Sequence, residues 1–387
     1  MIAAVPSKSS LLVVRLGAMG DVIHTLHAVT AIRRAFPDVR IGWVVEERWA
    51  ELLCAKNTPQ SGPPNATRPI VDFVHPVDTK GWRRSLLSPK TWSGISSARR
   101  EIRGEKYEVI ADFQGSLKSA AIARGAGSEM IFGMEKPREA AARLFYKHRI
   151  PTKGMHVVEQ YDSMSEAIAE RCVLARNAIP VGVLEKPPAD SRSHPASPSR
   201  DLKYSITPVP FPHDAEAENK ITTILGGTGN IVLITPGAGW GAKQWPADRY
   251  GKVARALADD GMTPIINFGP REEQLAAEAV SASDGAARPI SCSIGELIAL
   301  TRRARLFIGG DTGPLHLAAA LRIPVVAIFG PTDPARNGPY ETSGIVLRDP
   351  ASRTSLSHTS NLDPGLLNTT PDQVLSAARR LLEMPVA

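Results

Sequence analysis

No stretch restricts what this chain can fold into more than residues 306–334, LFIGGDTGPLHLAAALRIPVVAIFGPTDP. Residues 306–308 read as a short apolar strand closed by Gly309-Gly310. Asp311 and Thr312 then stand where helix-cap oxygens belong, before 315–321, a run of helix-forming composition. Residues 323–329 read as a second buried strand, closed by Gly330-Pro331. Strand, loop, helix, strand is the crossover unit of a parallel sheet. The loop before such a helix offers backbone N–H groups and the positive end of a helix dipole to a phosphate. The alternative is an ordinary crossover with well-chosen caps.

The same grammar recurs on both sides of a break. In the first half, 11–14 is a strand, Gly17-Ala18-Met19-Gly20 a turn, and a helix runs from Asp21 to about Phe36. Val22, Ile23, Leu26, Val29 and Ile32 make one buried face of that helix. Strands are expected at 41–45, 71–75 and 109–112, a short helix at 47–53, and further helices at 93–103, 117–124, 138–146 and 157–176. Residues 57–69, NTPQSGPPNATRP, read as a surface loop, and 80–84, KGWRR, as a basic segment. Eight prolines fall within 180–212, which therefore cannot be a central strand or long helix. Beyond it, strands are expected at 231–235 and 263–268, and helices at 247–259, 271–281 and 295–301. A final amphipathic helix follows at 372–383. The domains expected are 1–179, a connection at 180–229, and 230–370, with 371–387 as a tail able to pack back on the first domain. A chain of 387 residues suits two cores.

Composition narrows the function. Residues 1–165 hold 24 Lys+Arg and 16 Asp+Glu, a balance of +8, whereas 166–387 hold 22 and 23, a balance of −1. An excess confined to one half suits an acidic substrate or an anionic membrane face; the alternative is a basic solvated surface. Aromatic residues at 5% are too sparse for a surface of stacked bases, so no nucleic acid is expected. Three dispersed cysteines, Cys54, Cys172 and Cys292, fit a reducing cytoplasm without structural zinc. No apolar run reaches membrane-span length and no signal peptide is evident, so a cytoplasmic protein is expected.

Four loops follow strands where open α/β sheets bind ligands. The first, 17–21, lacks the third glycine of a dinucleotide fingerprint, so a nicotinamide enzyme is not expected even with Glu46 ending the next strand. Asp21 there is either a helix N-cap or a carboxylate presented as a general base. The second, PGAGWGAKQWP at 236–246, combines glycines with Lys243, which can reach a phosphate, although the P-loop ending is absent. In the third, Glu272 either accepts hydrogen bonds from a ribose or base or is a first-turn helix acid. The fourth is the 306–334 stretch, where His316 lies one turn beyond Thr312.

Taken together these residues resemble a known family. LVVRLGAMGDVIHTLHAVTAIRRAFPDVRIGWVVEE, with DTGPLHLAAAL and FGPTDP, is similar to the ADP-heptose:lipopolysaccharide heptosyltransferases of glycosyltransferase family 9. ADFQGSLKSA, LFYKHRI and MHVVEQ look most like heptosyltransferase I, while PGAGWGAKQWP resembles the loop of heptosyltransferase II. The resemblance implies a GT-B fold, two Rossmann-like doubly wound parallel-sheet domains facing across a cleft. It also implies an inverting transfer that needs neither metal nor cofactor. By the same resemblance Asp21 is the general base. Lys243, Glu272, Asp311, Thr312, Gly313 and His316 hold the ADP-sugar, and Thr332 and Asp333 touch the sugar or shape their loop. The acceptor is an acidic lipid-linked sugar at the cytoplasmic face of the inner membrane, with Lys80, Arg83, Arg84, Lys118 and Arg124 as its contacts. An epimerase or a transferase using another nucleotide sugar is the alternative, and a non-catalytic nucleotide-sugar-binding protein a third.

Overall fold

The computed structural model describes residues 9–171, 209–355 and 362–384. It contains two six-stranded parallel sheets, each in its own compact unit. Residues from Phe211 onward belong to the second unit, together with the short segments Ala18–Ile23 and Met155–Val157.

In the first unit the order along the chain is β1 (Ser10–Val14), α1 (Met19–Ala35), β2 (Arg40–Glu46), a 3-10 turn (Glu47–Leu52), β3 (Phe73–Val77), α2 (Thr79–Arg84) and α3 (Pro89–Gly104). Then come β4 (Val109–Asp112), α4 (Leu117–Gly125), β5 (Met130–Met134), a 3-10 turn (Ala140–Phe145), β6 (His148–Ile150) and α5 (Val157–Arg171). The sheet runs β3-β2-β1-β4-β5-β6, with Leu11 paired to both Ile41 and Val109. Strand β1 is wholly buried because helices cover both faces, which explains its unbroken apolar sequence. The order reverses between β1 and β4, so the loops after these strands flank the switch point where such sheets place ligands.

Packing against this sheet leaves no room at Gly42 in β2. A Cβ there would lie 2.0 Å from Oη of Tyr107. The ring is buried and fixed by a 2.8 Å hydrogen bond between its hydroxyl and Nε2 of His75. Gly42→Ala is therefore expected to destabilise the protein by about 1–3 kcal/mol, the usual cost of overpacking. A chemical-denaturation midpoint equal to wild type would refute this packing account.

The second unit contains α6 (Ala215–Leu225), β7 (Ile231–Thr235), a 3-10 turn (Gly241–Lys243), α7 (Ala247–Asp259), β8 (Thr263–Phe268), α8 (Glu273–Ala282), β9 (Arg288–Ser291) and α9 (Ile294–Thr301). It continues with β10 (Ala304–Gly310), α10 (Gly313–Ala320), β11 (Val325–Ile328), α11 (Pro334–Asn337), β12 (Gly344–Leu347), α12 (Pro364–Asn368) and α13 (Pro371–Leu382). Its sheet runs β12-β11-β10-β7-β8-β9, and the order reverses between β7 and β10.

One expectation about the connections needs correcting. The connecting segment expected over 180–229 is described only from 209, and within it 215–225 is helix α6, capped by Asp214 and burying Ala217, Ile221 and Leu225. Its apolar spacing satisfies a helix once the prolines end at Pro212. In the tail helix α13, Val374, Ala377, Ala378 and Leu381 join the second core beside Leu257 and Val326. The loop at 57–69 is held from inside by the buried guanidinium of Arg68, which donates to the carbonyls of Pro59, Gly62, Pro63 and Val71. Cys54 is buried and Cys292 half-buried, with burial pushing the Cys292 thiol up to about 12; Cys172 lies outside the described residues. Among the described residues no helix is long and apolar enough to cross a membrane.

Candidate functional site

The loops after β7 and β10 flank the switch point of the second sheet, and they bring Lys243, Asp311 and His316 together. Lys243 ends the 3-10 turn Gly241–Lys243; its ammonium contacts Asp311 Oδ2 and lies 4.2 Å from the centroid of the Trp240 ring. Asp311 Oδ1 accepts from Nε2 of His316 at 3.1 Å, which places the imidazole proton on Nε2, since a carboxylate can only accept. Both Asp311 oxygens are thus engaged. Burial alone would raise the Asp311 pKa; the hydrogen bond from His316 and then the Lys243 ammonium outweigh it and hold the carboxyl well below the usual range.

Helix α10 begins differently from its sequence expectation. Neither Asp311 nor Thr312 caps it: Asp311 is taken up by Lys243 and His316, and the Thr312 hydroxyl donates to Gly310 O at 3.3 Å. Thr312 occupies the N-cap position with no side-chain cap, Gly313 opens the helix, and Pro314 brings no N–H. The first-turn N–H groups have no intrahelical acceptor, so the positive helix end is presented uncapped beside Lys243.

Glu272 occupies the N-cap position of α8, where its Oε2 accepts from the Gly269 N–H at 2.8 Å. A Cβ on Gly237 would fall 2.2 Å from Glu272 Oε1, so the glycine lets the β7 loop lie directly against this carboxylate. Asp333 caps α11 by accepting from Ala335 N at 2.9 Å, which makes it a loop-shaping residue, and Thr332 is buried.

Asp21 lies in the opening turn of α1, two residues inside the helix rather than at its N-cap. Its Oδ2 accepts from the Ala18 N–H at 3.1 Å, as the acid of a capping box does. Near the β4 end of the sheet is a cavity of about 760 Å³ lined by Lys80, Arg83, Lys118 and the side chains of α2, α3 and α4. Three of the five expected acceptor cations therefore share it. Arg84 lies on the exposed end of α2 outside the lining, and Arg124, in the last turn of α4, pairs with Glu129 at 3.6 Å instead. The neighbouring Arg48 guanidinium, then partial burial, depresses the Lys80 pKa, the mark of crowded positive charge. Lys118 is oriented by Glu46 at 3.3 Å and Thr79 at 2.6 Å, so Glu46 serves a lysine.

Sequence reasoning missed Arg99, Arg138 and Gln114, which also line the cavity. Gln114 Oε1 accepts from Leu16 N at 2.8 Å and joins the two loops at the first switch point. It also missed buried Asp112, which accepts from Tyr146, Ser119 and the Gln114 and Gly115 amides and so shapes the β4–α4 loop. An aspartate ending an apolar strand before Phe-Gln-Gly-Ser was the available signal.

Comparison with known proteins gives the family. The profile of Glycosyltransferase family 9 (heptosyltransferase) matches residues 95–364. Lipopolysaccharide heptosyltransferase 1 of Pseudomonas aeruginosa is 28% identical over 343 residues, covering 87% of this chain and 82% of that one. The Escherichia coli K12 protein of the same name is 27% identical, covering 88% and 93%. The solved structure of E. coli heptosyltransferase WaaC with ADP superposes with a TM-score of 0.70 at 24% identity, covering 96% and 99%, and shares the GT-B fold of two Rossmann-like units. A match across more than two thirds of the sequence, on a fold with both switch points lined as described, makes this chain a glycosyltransferase of family 9.

Proposed function

We propose that this enzyme moves a heptose from an ADP-activated donor to an inner-core lipopolysaccharide acceptor of the Kdo–lipid A type, by a single inverting displacement. The observation that carries the reading is the pairing of Lys243 with the uncapped start of α10 at the switch point of the second sheet. A cation beside free helical N–H groups suits a diphosphate whose charge grows as it leaves. The names of the relatives, lipopolysaccharide heptosyltransferase 1, support a heptose as the sugar and lipopolysaccharide as the class of acceptor.

In this mechanism Asp21 takes the proton of the acceptor hydroxyl as its oxygen attacks the anomeric carbon. The bond from that carbon to the diphosphate oxygen breaks, its electron pair leaves with ADP, and the configuration inverts. Lys243 and the α10 N–H groups stabilise the departing charge. Asp311 acts as a positioning residue: a carboxylate repels phosphate, and its two oxygens hold Lys243 and His316 in place. Glu272 stands beside the donor loop and accepts from the adenosine. Lys80, Arg83 and Lys118 hold the anionic sugar of the acceptor, which presents itself at a lipid surface.

The donor assignment is tested by thermal unfolding with ADP, UDP and GDP, followed by turnover with ADP-heptose. A ligand at a hundred times its Kd stabilises the folded state by about 2.7 kcal/mol. ADP is expected to raise the midpoint and the other two are not; equal shifts from all three, or none from ADP, would refute the adenine donor.

A further inference from the structure

Between Asp78 and Glu101 the chain carries six cations, Lys80, Arg83, Arg84, Lys90, Arg99 and Arg100, and no carboxylate. In the middle of this run the turn between α2 and α3 exposes Leu87 (99%) and Leu86 (53%), and the first turn of α3 exposes Trp92 (58%). Exposed leucines singly need no explanation, but two in succession beside an exposed tryptophan, inside a wholly basic segment, form one amphipathic surface. We propose that the α2–α3 hairpin docks the protein on an anionic lipid bilayer, inserting Leu87 with Leu86 and seating Trp92 at the headgroup level.

The turn is suited to leaving water. Two of its carbonyls are already satisfied: Ser85 O accepts from Ser88 N at 3.0 Å and from the Thr91 hydroxyl at 2.8 Å, and Leu86 O accepts from the Trp92 indole at 2.9 Å. Backbone groups paired in this way lose little on entering an apolar phase, where unpaired ones are costly. The same bonds hold the turn stiff, so the leucines project without ordering a loose segment. Pro89 at the start of α3 adds to that stiffness. Arg83, Arg84 and Lys90 are exposed around the apolar tip, where their stems lie along it while their charges reach lipid phosphates. Apolar insertion and a polybasic collar are the two signals that together give stable peripheral attachment. An acidic protein partner would also meet the charges, but it would have no need of a leucine projecting almost completely from the surface.

The inference deepens the reading of a lipid-linked acceptor, because Arg83 and Leu86 border both the hairpin tip and the cavity assigned to the acceptor sugar. The test is co-sedimentation of the full chain with phosphatidylcholine vesicles, with and without 30 mol% phosphatidylglycerol (roughly the proportion that mimics an anionic leaflet). Wild type should bind the anionic vesicles and be weakened by salt. Leu87→Asp should lose about tenfold or more in binding, the effect expected for withdrawing one leucine and adding a like charge. Its ADP-induced melting shift and its transfer to a de-acylated acceptor should stay at wild-type levels. Lys90→Ser should weaken binding to anionic vesicles alone. Equal binding of wild type and Leu87→Asp would overturn insertion, and equal binding to both vesicle types would overturn the charge argument. Failure of the donor assignment would instead appear as a missing ADP shift with vesicle binding intact.

Discussion

Asp21→Asn is expected to bind ADP as wild type does, within about twofold, and to lose transfer by ~10²–10⁴-fold, the contribution of a positioned general base. The substitution preserves size and leaves an oxygen for the hydrogen bond from the Ala18 N–H, so the start of α1 should survive. What it removes is an acceptor for the proton of the attacking hydroxyl. The loss should fall on kcat and kcat/KM alike, since that proton moves only in the transition state. Calorimetry with ADP, far-ultraviolet circular dichroism and a turnover assay separate the possibilities. Wild-type turnover by Asp21→Asn would remove the residue from the mechanism. Lost turnover together with lost helix stability would make it a capping residue only.

The same helix start shows how much of the site was legible in the sequence. A short unbroken apolar strand, a glycine-bearing turn and a helix with apolar residues at 3.6-residue spacing placed Asp21 at a sheet end, because the short length of the first run and the helical spacing of the second separate the two element types. Its exact helical position could not be read, since N-cap and third-residue roles use the same side chain and differ by a short slip of the backbone. The opposite happened at Asp311 and Thr312. Cap preference pointed to both, yet the cap is unmade, because Lys243, 68 residues earlier in the chain, lies across the switch point and claims the carboxylate. Tertiary charge pairing overrode a local preference. Edge strands β6, β9 and β12 were also invisible: they are three or four residues long and largely solvent-facing, so no apolar run marks them. Helix α2, six residues capped by Asp78, read only as a basic segment, and its turn with α3 acquires meaning only once Leu87 is seen fully outside.

Lys243→Ala should weaken ADP by about 10–100-fold, the equivalent of one lost charge-assisted hydrogen bond of ~1.5–3 kcal/mol. It should also lower stability, because the ammonium it removes is a partner of a carboxylate that is itself only 7% exposed. Stripping one member from a buried pair costs on the order of 3 kcal/mol. The two effects separate by pH. The Asp311 carboxyl is held below its unfolded value, so its contribution to stability is complete above the ordinary carboxylate range. It is lost progressively as pH falls from the ordinary carboxylate range to the depressed folded value. The stability gap between wild type and Lys243→Ala should therefore be complete at neutral pH and narrow in acid, as Asp311, no longer held down by the ammonium, takes up a proton in the variant before it does in wild type. An ADP contact made by Lys243 itself predicts something more: affinity should remain reduced when measured at a temperature where both proteins are fully folded. Wild-type ADP affinity in a destabilised Lys243→Ala protein would mean that the lysine serves only to neutralise Asp311, leaving the start of α10 to bind the diphosphate alone.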